Sequence, residues 1–201
     1  MLAGFAHLQP AENACVPVLV DSAGVDWLLE LAPVGSPSPA LKAPRHRMLL
    51  DGNGQWCFPC RAPASQLPLD DESLPAVLMR HLFQPGVPAD LLEEVLRCLK
   101  PGGLLVSVSA NPWHRASWRE LGRNTLQLPA WPKLLLRHAR YNLQLQIPRR
   151  RQWRGLLPGL SPVLVVVARK PPRAAPVRKL EFSKADKVRG RVAAASQCRA
   201  A

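Results

Sequence analysis

The stretch from Pro88 to Ser109 constrains the fold more than any other part of the chain. Leu91, Leu92, Val95, Leu96 and Leu99 recur at the spacing that places them on one face of a helix. Asp90 and Glu93 stand where a capping pair at the helix start belongs. Lys100-Pro101-Gly102-Gly103 then stops the helix, because proline cannot continue it and glycine suits the backbone of a C-cap. Directly after it, residues 104–109 (LLVSVS) read as a buried strand. A helix delivered by a tight turn into a strand covered on both faces is a building unit of an α/β sheet.

Further apolar runs supply further strands. Residues 16–20 and 76–79 are short and apolar, 47–50 lead into the turn Asp51-Gly52-Asn53-Gly54, and 56–61 form a run interrupted by Pro59. Residues 162–168 (PVLVVVA) are β-branched and read as a last strand. Trp27, Leu28, Leu29 and Leu31 suggest a short helix stopped by Pro33, and residues 33–45 a Pro/Ser loop. Twenty-two prolines keep the elements short. Strands separated by helical or loop segments predict an α/β fold: a Rossmann-like three-layer sandwich with a mostly parallel sheet.

The net charge of +13 is unevenly spread: residues 169–201 carry ten basic and two acidic side chains. A domain over 1–170 and a basic, disordered tail over 171–201 follow from this. No apolar run approaches the roughly 20 residues of a membrane-spanning helix. The first ten residues lack the basic and apolar regions of a secretory signal, which predicts a cytoplasmic protein. The five cysteines, Cys15, Cys57, Cys60, Cys98 and Cys198, are odd in number and irregular in spacing, which argues against a disulfide framework.

The order of motifs resembles the second half of a class I S-adenosylmethionine-dependent methyltransferase. Leu67-Pro68-Leu69-Asp70-Asp71-Glu72-Ser73 leads into Val77-Leu78-Met79-Arg80-His81, then come the helix, Lys100-Pro101-Gly102-Gly103 and a strand. Asn111-Pro112-Trp113 after that strand, and Ala168-Arg169-Lys170 after the last, resemble a small bacterial subgroup of such proteins. The likeness is strong over 67–113 and weaker across the rest of 16–170. It implies methyl transfer from S-adenosylmethionine to an acceptor the sequence does not name, on a sheet shortened between its first and fourth strands. A non-catalytic binding or scaffold descendant of the family is the alternative.

The resemblance also implies a cofactor site. The family cradles the methionine end of its cofactor with a Gly-rich turn after the first strand. Placed after residues 16–20, that turn is Val20-Asp21-Ser22-Ala23-Gly24-Val25-Asp26, where Gly24 alone keeps a glycine and Asp21 supplies the acid. Asp51 fits the acid that binds the ribose, or equally a turn aspartate before Gly52. Gln66 and the backbone near Ala64 and Leu67 face the adenine in this reading. His81 falls near the transferred methyl, as a base, a substrate-orienting group or simply a polar loop residue. No catalytic residue is singled out.

Two other features invite different functions. Trp56-Cys57-Phe58-Pro59-Cys60 is similar to a thioredoxin motif, but such a thiolate needs a helix after it, and Pro63 and Pro68 follow instead. No second ligand pair has zinc-site spacing. Residues 137–154 hold Arg137, Arg140, Arg149, Arg150, Arg151 and Arg154 with Tyr141 and Trp153 among them. With the tail, this stretch is either a nucleic-acid or phosphate-binding surface or a solvated basic face. Trp113, Trp118 and Trp131 are expected to pack against the sheet, with base stacking as the other option.

Overall fold

The computed structural model describes residues 5–84, 87–88, 90–146 and 161–172. The arginines at 149–151 and 154, Trp153, Cys198 and residues 173–201 of the basic tail lie outside them.

The chain begins with a helix, α1 (Gln9–Ser22). Leu8, Glu12, Cys15, Val16, Leu19 and Val20 are buried, a stripe at helical spacing. Pro10 sits in the first turn, where no amide bond is lost. Gly24, at φ +63°, follows the helix end. The strand expected at 16–20 is therefore the second half of a helix. Its β-branched residues and Pro17 resemble a strand locally, but the burial stripe decides otherwise.

Among the described residues eight strands form one sheet: β1 (Leu28–Pro33), β2 (Arg45–Leu50), β3 (Gln55–Phe58), β4 (Ala62–Pro63), β5 (Leu74–Arg80), β6 (Leu99–Ala110), β7 (Gln144–Gln146) and β8 (Val163–Arg169). Their order is β4-β3-β2-β1-β5-β6-β8-β7. β2, β1, β5 and β6 pair in parallel. β3 and β8 run against them, so most strands point one way. The short helix expected at 27–31 is β1 instead. All six of its residues are buried, as a strand covered on both faces requires.

Helices cover both faces, giving the expected three-layer sandwich. On one face α2 (Leu91–Cys98) and α4 (Trp131–Ala139) bury Leu91, Leu92, Val95 and Leu134 against Leu31, Met79, Leu105 and Val166. On the other, α1 packs Val16, Leu19 and Val20 against Leu28, Leu78, Val106 and Val165, with Ala116 and Leu121 of α3 (Arg115–Leu121) alongside. A 3₁₀ segment, Gly122–Gln127, links α3 toward α4.

Several sequence motifs turn out to be braces. Asp90 stands at the N-cap of α2 but makes no side-chain capping bond, so the expected capping pair does not form. β6 begins at Leu99, and Lys100-Pro101-Gly102-Gly103 lies within it at a break in its register with β5. Gly102 N–H donates to the Lys170 carbonyl at 2.9 Å. Lys170 Nζ donates to the carbonyls of Leu96 and Leu99 at 2.8 and 2.7 Å, closing the C-terminal end of α2. Asn111 ties the end of β6 to the Ser161 carbonyl at 2.8 Å and accepts from the Trp113 amide at 3.0 Å. Trp113 is 78% exposed and Trp118 44%, so burial against the sheet explains neither, while Trp131 packs against the core.

Candidate active site at the strand ends

β1 is the pivot of the sheet. The chain leaves it toward β2 on one side, and β5 leads to β6 on the other. In open α/β sheets the ligand crevice lies outside the carboxyl ends of the strands at this switch point. Pro33 ends β1 and Arg80 ends β5, so these residues form its floor.

A buried charge cluster occupies this crevice. Arg80 Nε donates to Glu12 Oε2 at 2.9 Å and its Nη2 also bonds that carboxylate. Arg80 Nη1 donates to Glu30 Oε1 at 2.8 Å and to the Pro37 carbonyl at 2.7 Å. Glu30, at the centre of β1, is further paired with Arg47 and Arg45 at 3.3 and 3.6 Å and accepts from Ser38 Oγ at 2.6 Å. Glu12 also contacts His81 Nε2, and Phe5 stacks on the His81 ring with centroids 3.9 Å apart. Burial pushes Glu12 up, but His81 and Arg80 outweigh it and hold the carboxyl below the usual carboxylate range.

His81 has a left-handed backbone, φ +52°, and its Nδ1 has no hydrogen-bond partner among the described residues. Such strain collects at ligand sites more than elsewhere. The residue is fully enclosed, however, and its open nitrogen faces no solvent.

The expected cofactor residues separate into two groups. Asp21 lies in the last turn of α1 and Gly24 just past it, so neither follows a strand. The loop after the first parallel strand is 34–44, displaced along the sequence because 16–20 is helical. Its glycine, Gly35, has φ +82°. The second group gathers at the far end of β2. Asp51 follows β2, and its Oδ1 accepts from the amides of Asn53 and Gln55 at 2.9 Å each. That is the turn-aspartate role; Oδ2 is left over. Ala64 is buried with its amide bonded to Gly54 O, Gln66 is exposed, and the Leu67 amide donates to Glu94 Oε1 at 2.9 Å. Arg97 beside Glu94 keeps that carboxyl below its usual range. The Leu67-Pro68 segment is thus clamped to α2.

The methionyl end of S-adenosylmethionine does not fit this conformation. Phe5, Glu12, Arg80 and His81 are each 1% exposed or less, and both acids are already ion-paired, Glu12 with Arg80 and Glu30 with Arg80, Arg45 and Arg47. Asp51 and Gln66 do reach solvent.

A cavity of about 590 Å³ opens beside the crevice, on the α2 and α4 face. Met79, Leu82, Phe83, Leu91, Leu92 and Leu128 line it, with Lys133, Arg137, Arg140 and Tyr141 among the polar wall. None of Glu12, Glu30 and the cavity emerged from sequence reasoning. A charge inside an apolar strand, as in Leu28-Leu29-Glu30-Leu31 or Leu78-Met79-Arg80, is the signal that was there to use, because such charges are buried only when paired. Cys57 and Cys60 are exposed; Cys57 lies on β3, and no helix follows for the dipole a redox thiolate needs.

Comparison with known proteins agrees with this architecture. A family model described as a methyltransferase domain matches residues 41–107, from before β2 into β6. The fold is similar to a SAM-dependent methyltransferase from Aquifex aeolicus, at 12% identity and TM-score 0.51, over 80% of this chain and 92% of that one. It is also similar to the CurJ carbon methyltransferase, at 14% identity and TM-score 0.53, over 79% of this chain and 54% of that one. No curated protein sequence matches. The match over residues 41–107 and the fold are thus similar to those of S-adenosylmethionine-dependent methyltransferases.

Proposed function

We propose that this chain methylates a small acceptor seated in the cavity beside β5, and that the conformation described here is its closed state. The carrying observation is the cavity: it opens at the carboxyl ends of the strands, next to the crevice that open α/β sheets commonly use for ligands. The protein's part in such a transfer is chiefly to orient the acceptor and keep water out. Asp51, Gln66 and the backbone near Ala64 and Leu67 would hold the adenosine side. Opening of the segment from Phe5 to Glu12 would admit the rest. The exposed, unpaired thiols of Cys57 and Cys60 suit a reducing, cytoplasmic setting.

A second reading has a specific observation behind it. If the Arg80 cluster never opens, the chain is a binding module that keeps the family's fold without its transfer reaction. Calorimetric titration with S-adenosylhomocysteine separates the two, using wild type, Asp51→Ala and Phe5→Ala. Micromolar binding that Asp51→Ala weakens supports the enzyme. No heat up to millimolar ligand, with wild type and Phe5→Ala both folded by near-ultraviolet circular dichroism, leaves the binding module. Salt-dependent binding of mixed RNA would separately support a nucleic-acid partner for the basic regions.

A further inference from the structure

We infer that the cavity selects an acceptor with an apolar body and an anionic end. This rests on reading the cavity as the acceptor site, and its test needs no cofactor. Met79, Leu82 and Phe83 at the end of β5, with Leu91 and Leu92 of α2, give an apolar floor. The wall from α4 is cationic: Lys133, Arg137 and Arg140 are spaced to share one helix face. Among the described residues, none of these three has an ion-pair partner and no aspartate or glutamate lines the cavity.

The two surfaces meet at a defined place. The Arg137 guanidinium lies 5.8 Å from the centre of the Phe83 ring, at the join of apolar floor and basic wall. An aromatic or alkyl group on the floor therefore puts an attached carboxylate, sulfonate or phosphate within reach of Arg137, with Arg140 and Lys133 behind. The volume of about 590 Å³ is that of a small-molecule site, not of a nucleic-acid groove. A cation would meet like charge there and no counter-ion.

The full-length chain is titrated with 8-anilinonaphthalene-1-sulfonate and, separately, with uncharged N-phenyl-1-naphthylamine, both read by fluorescence. The expected result is saturable one-to-one binding of the sulfonate, weakened at least tenfold by R137Q/R140Q, while the neutral probe changes less than twofold. Val87→Trp, at the half-exposed mouth, should block both probes with the circular dichroism spectrum intact. Competition by naphthyl phosphate against naphthaleneacetate identifies which anion is preferred. Equal response of the two probes to R137Q/R140Q, or no response of either, overturns the inference. So does displacement by an RNA oligonucleotide at lower concentration than by naphthyl phosphate. Failure of S-adenosylhomocysteine to bind, with these probe results as expected, would defeat the methyltransferase reading and leave the anion site standing.

Discussion

Replacing Glu12 with glutamine removes one charge from the enclosed cluster at the strand ends and nearly nothing else. Its carboxylate takes Arg80 through two nitrogens and His81 through a third. Removing one member of a buried pair costs about 3–5 kcal/mol when its partner is left alone. Arg80 is not left alone here, because Glu30 at 2.8 Å and the Pro37 carbonyl at 2.7 Å remain. The expected loss for Glu12→Gln is therefore about 2–3 kcal/mol. Arg80→Met takes the shared cation from two buried carboxylates, leaving Glu12 only His81 and Glu30 only Arg45, Arg47 and Ser38, and should cost more, about 3–5 kcal/mol. Glu12→Leu combined with Arg80→Met removes both charges and should cost less than the two single changes together, since the sites share one network. Urea unfolding followed by circular dichroism at pH 7 measures each, provided the slope is unchanged. The acid limb adds an independent check. Glu12 titrates lower when folded, so its stabilisation is complete above the usual carboxylate range and drains away as pH falls through the folded value. The gap between wild type and Glu12→Gln should shrink below about pH 4.5. A cost under about 0.5 kcal/mol, the worth of a solvent-exposed pair, would refute the cluster as drawn.

Phe5→Ala removes the stack on His81, and if cofactor entry requires this segment to leave, it should tighten S-adenosylhomocysteine binding about tenfold for each 1.4 kcal/mol it takes from the closed state; calorimetry showing unchanged or weaker binding would count against the gate. Gly103→Ala should cost about 1–3 kcal/mol, because its Cβ would stand 2.8 Å from the Lys100 carbonyl oxygen, whereas Gly102→Ala meets nothing within 4 Å and carries only backbone strain at φ +77°. Equal costs by urea unfolding would contradict that difference. His138 is buried and held neutral below its ordinary pKa by desolvation, donating to the Leu134 carbonyl while Ser107 donates to its other nitrogen, at 2.8 Å each. Its contribution is full above about pH 6.5 and is lost as pH falls toward the folded value, so His138→Gln should flatten the stability profile just below that pH.

The second half of the fold was legible because local and long-range signals agree there. The periodicity of α2, the break at Pro101-Gly102-Gly103 and the apolar run of β6 all belong to one helix–strand unit, and Lys170, just after the final strand, locks it. The first half was misread because its local signals oppose its tertiary role. A helix with Pro17 and three nearby valines looks like a strand, and a strand carrying Glu30 looks like half a helix. That exchange put the expected cofactor turn at 21–26, after a helix instead of after β1, and hid the acid that ends up in the crevice. The position of Asp51 did not depend on that exchange, because it rests only on the end of β2 and the turn after it.

The misread half also explains why the crevice is closed. Parallel strands are usually joined by a crossover of a dozen or more residues, most often a helix that covers the sheet. Between β1 and β2 there are only residues 34–44, with Pro37, Pro39 and Pro44 among them and no helix. The face this crossover leaves bare still has to be covered, since Leu28, Leu78 and Val106 point into it. α1 covers it from the other direction along the chain. A helix that enters over the sheet at Leu8 and ends at Ser22 brings its first turn to the strand ends, and Glu12 and Phe5 arrive there with it. Arg80 is then the cation that two buried acids require. The enclosure of the crevice thus goes with a β1–β2 connection that carries no helix. Lengthening the 34–44 loop with a helix-forming insert should loosen α1 before it affects β5 or β6. Hydrogen exchange reports this directly: faster exchange in 9–22 with β5 and β6 unchanged is expected, and uniform loosening of the whole sheet would show that α1 is part of the sheet's own stability and not a substitute cover.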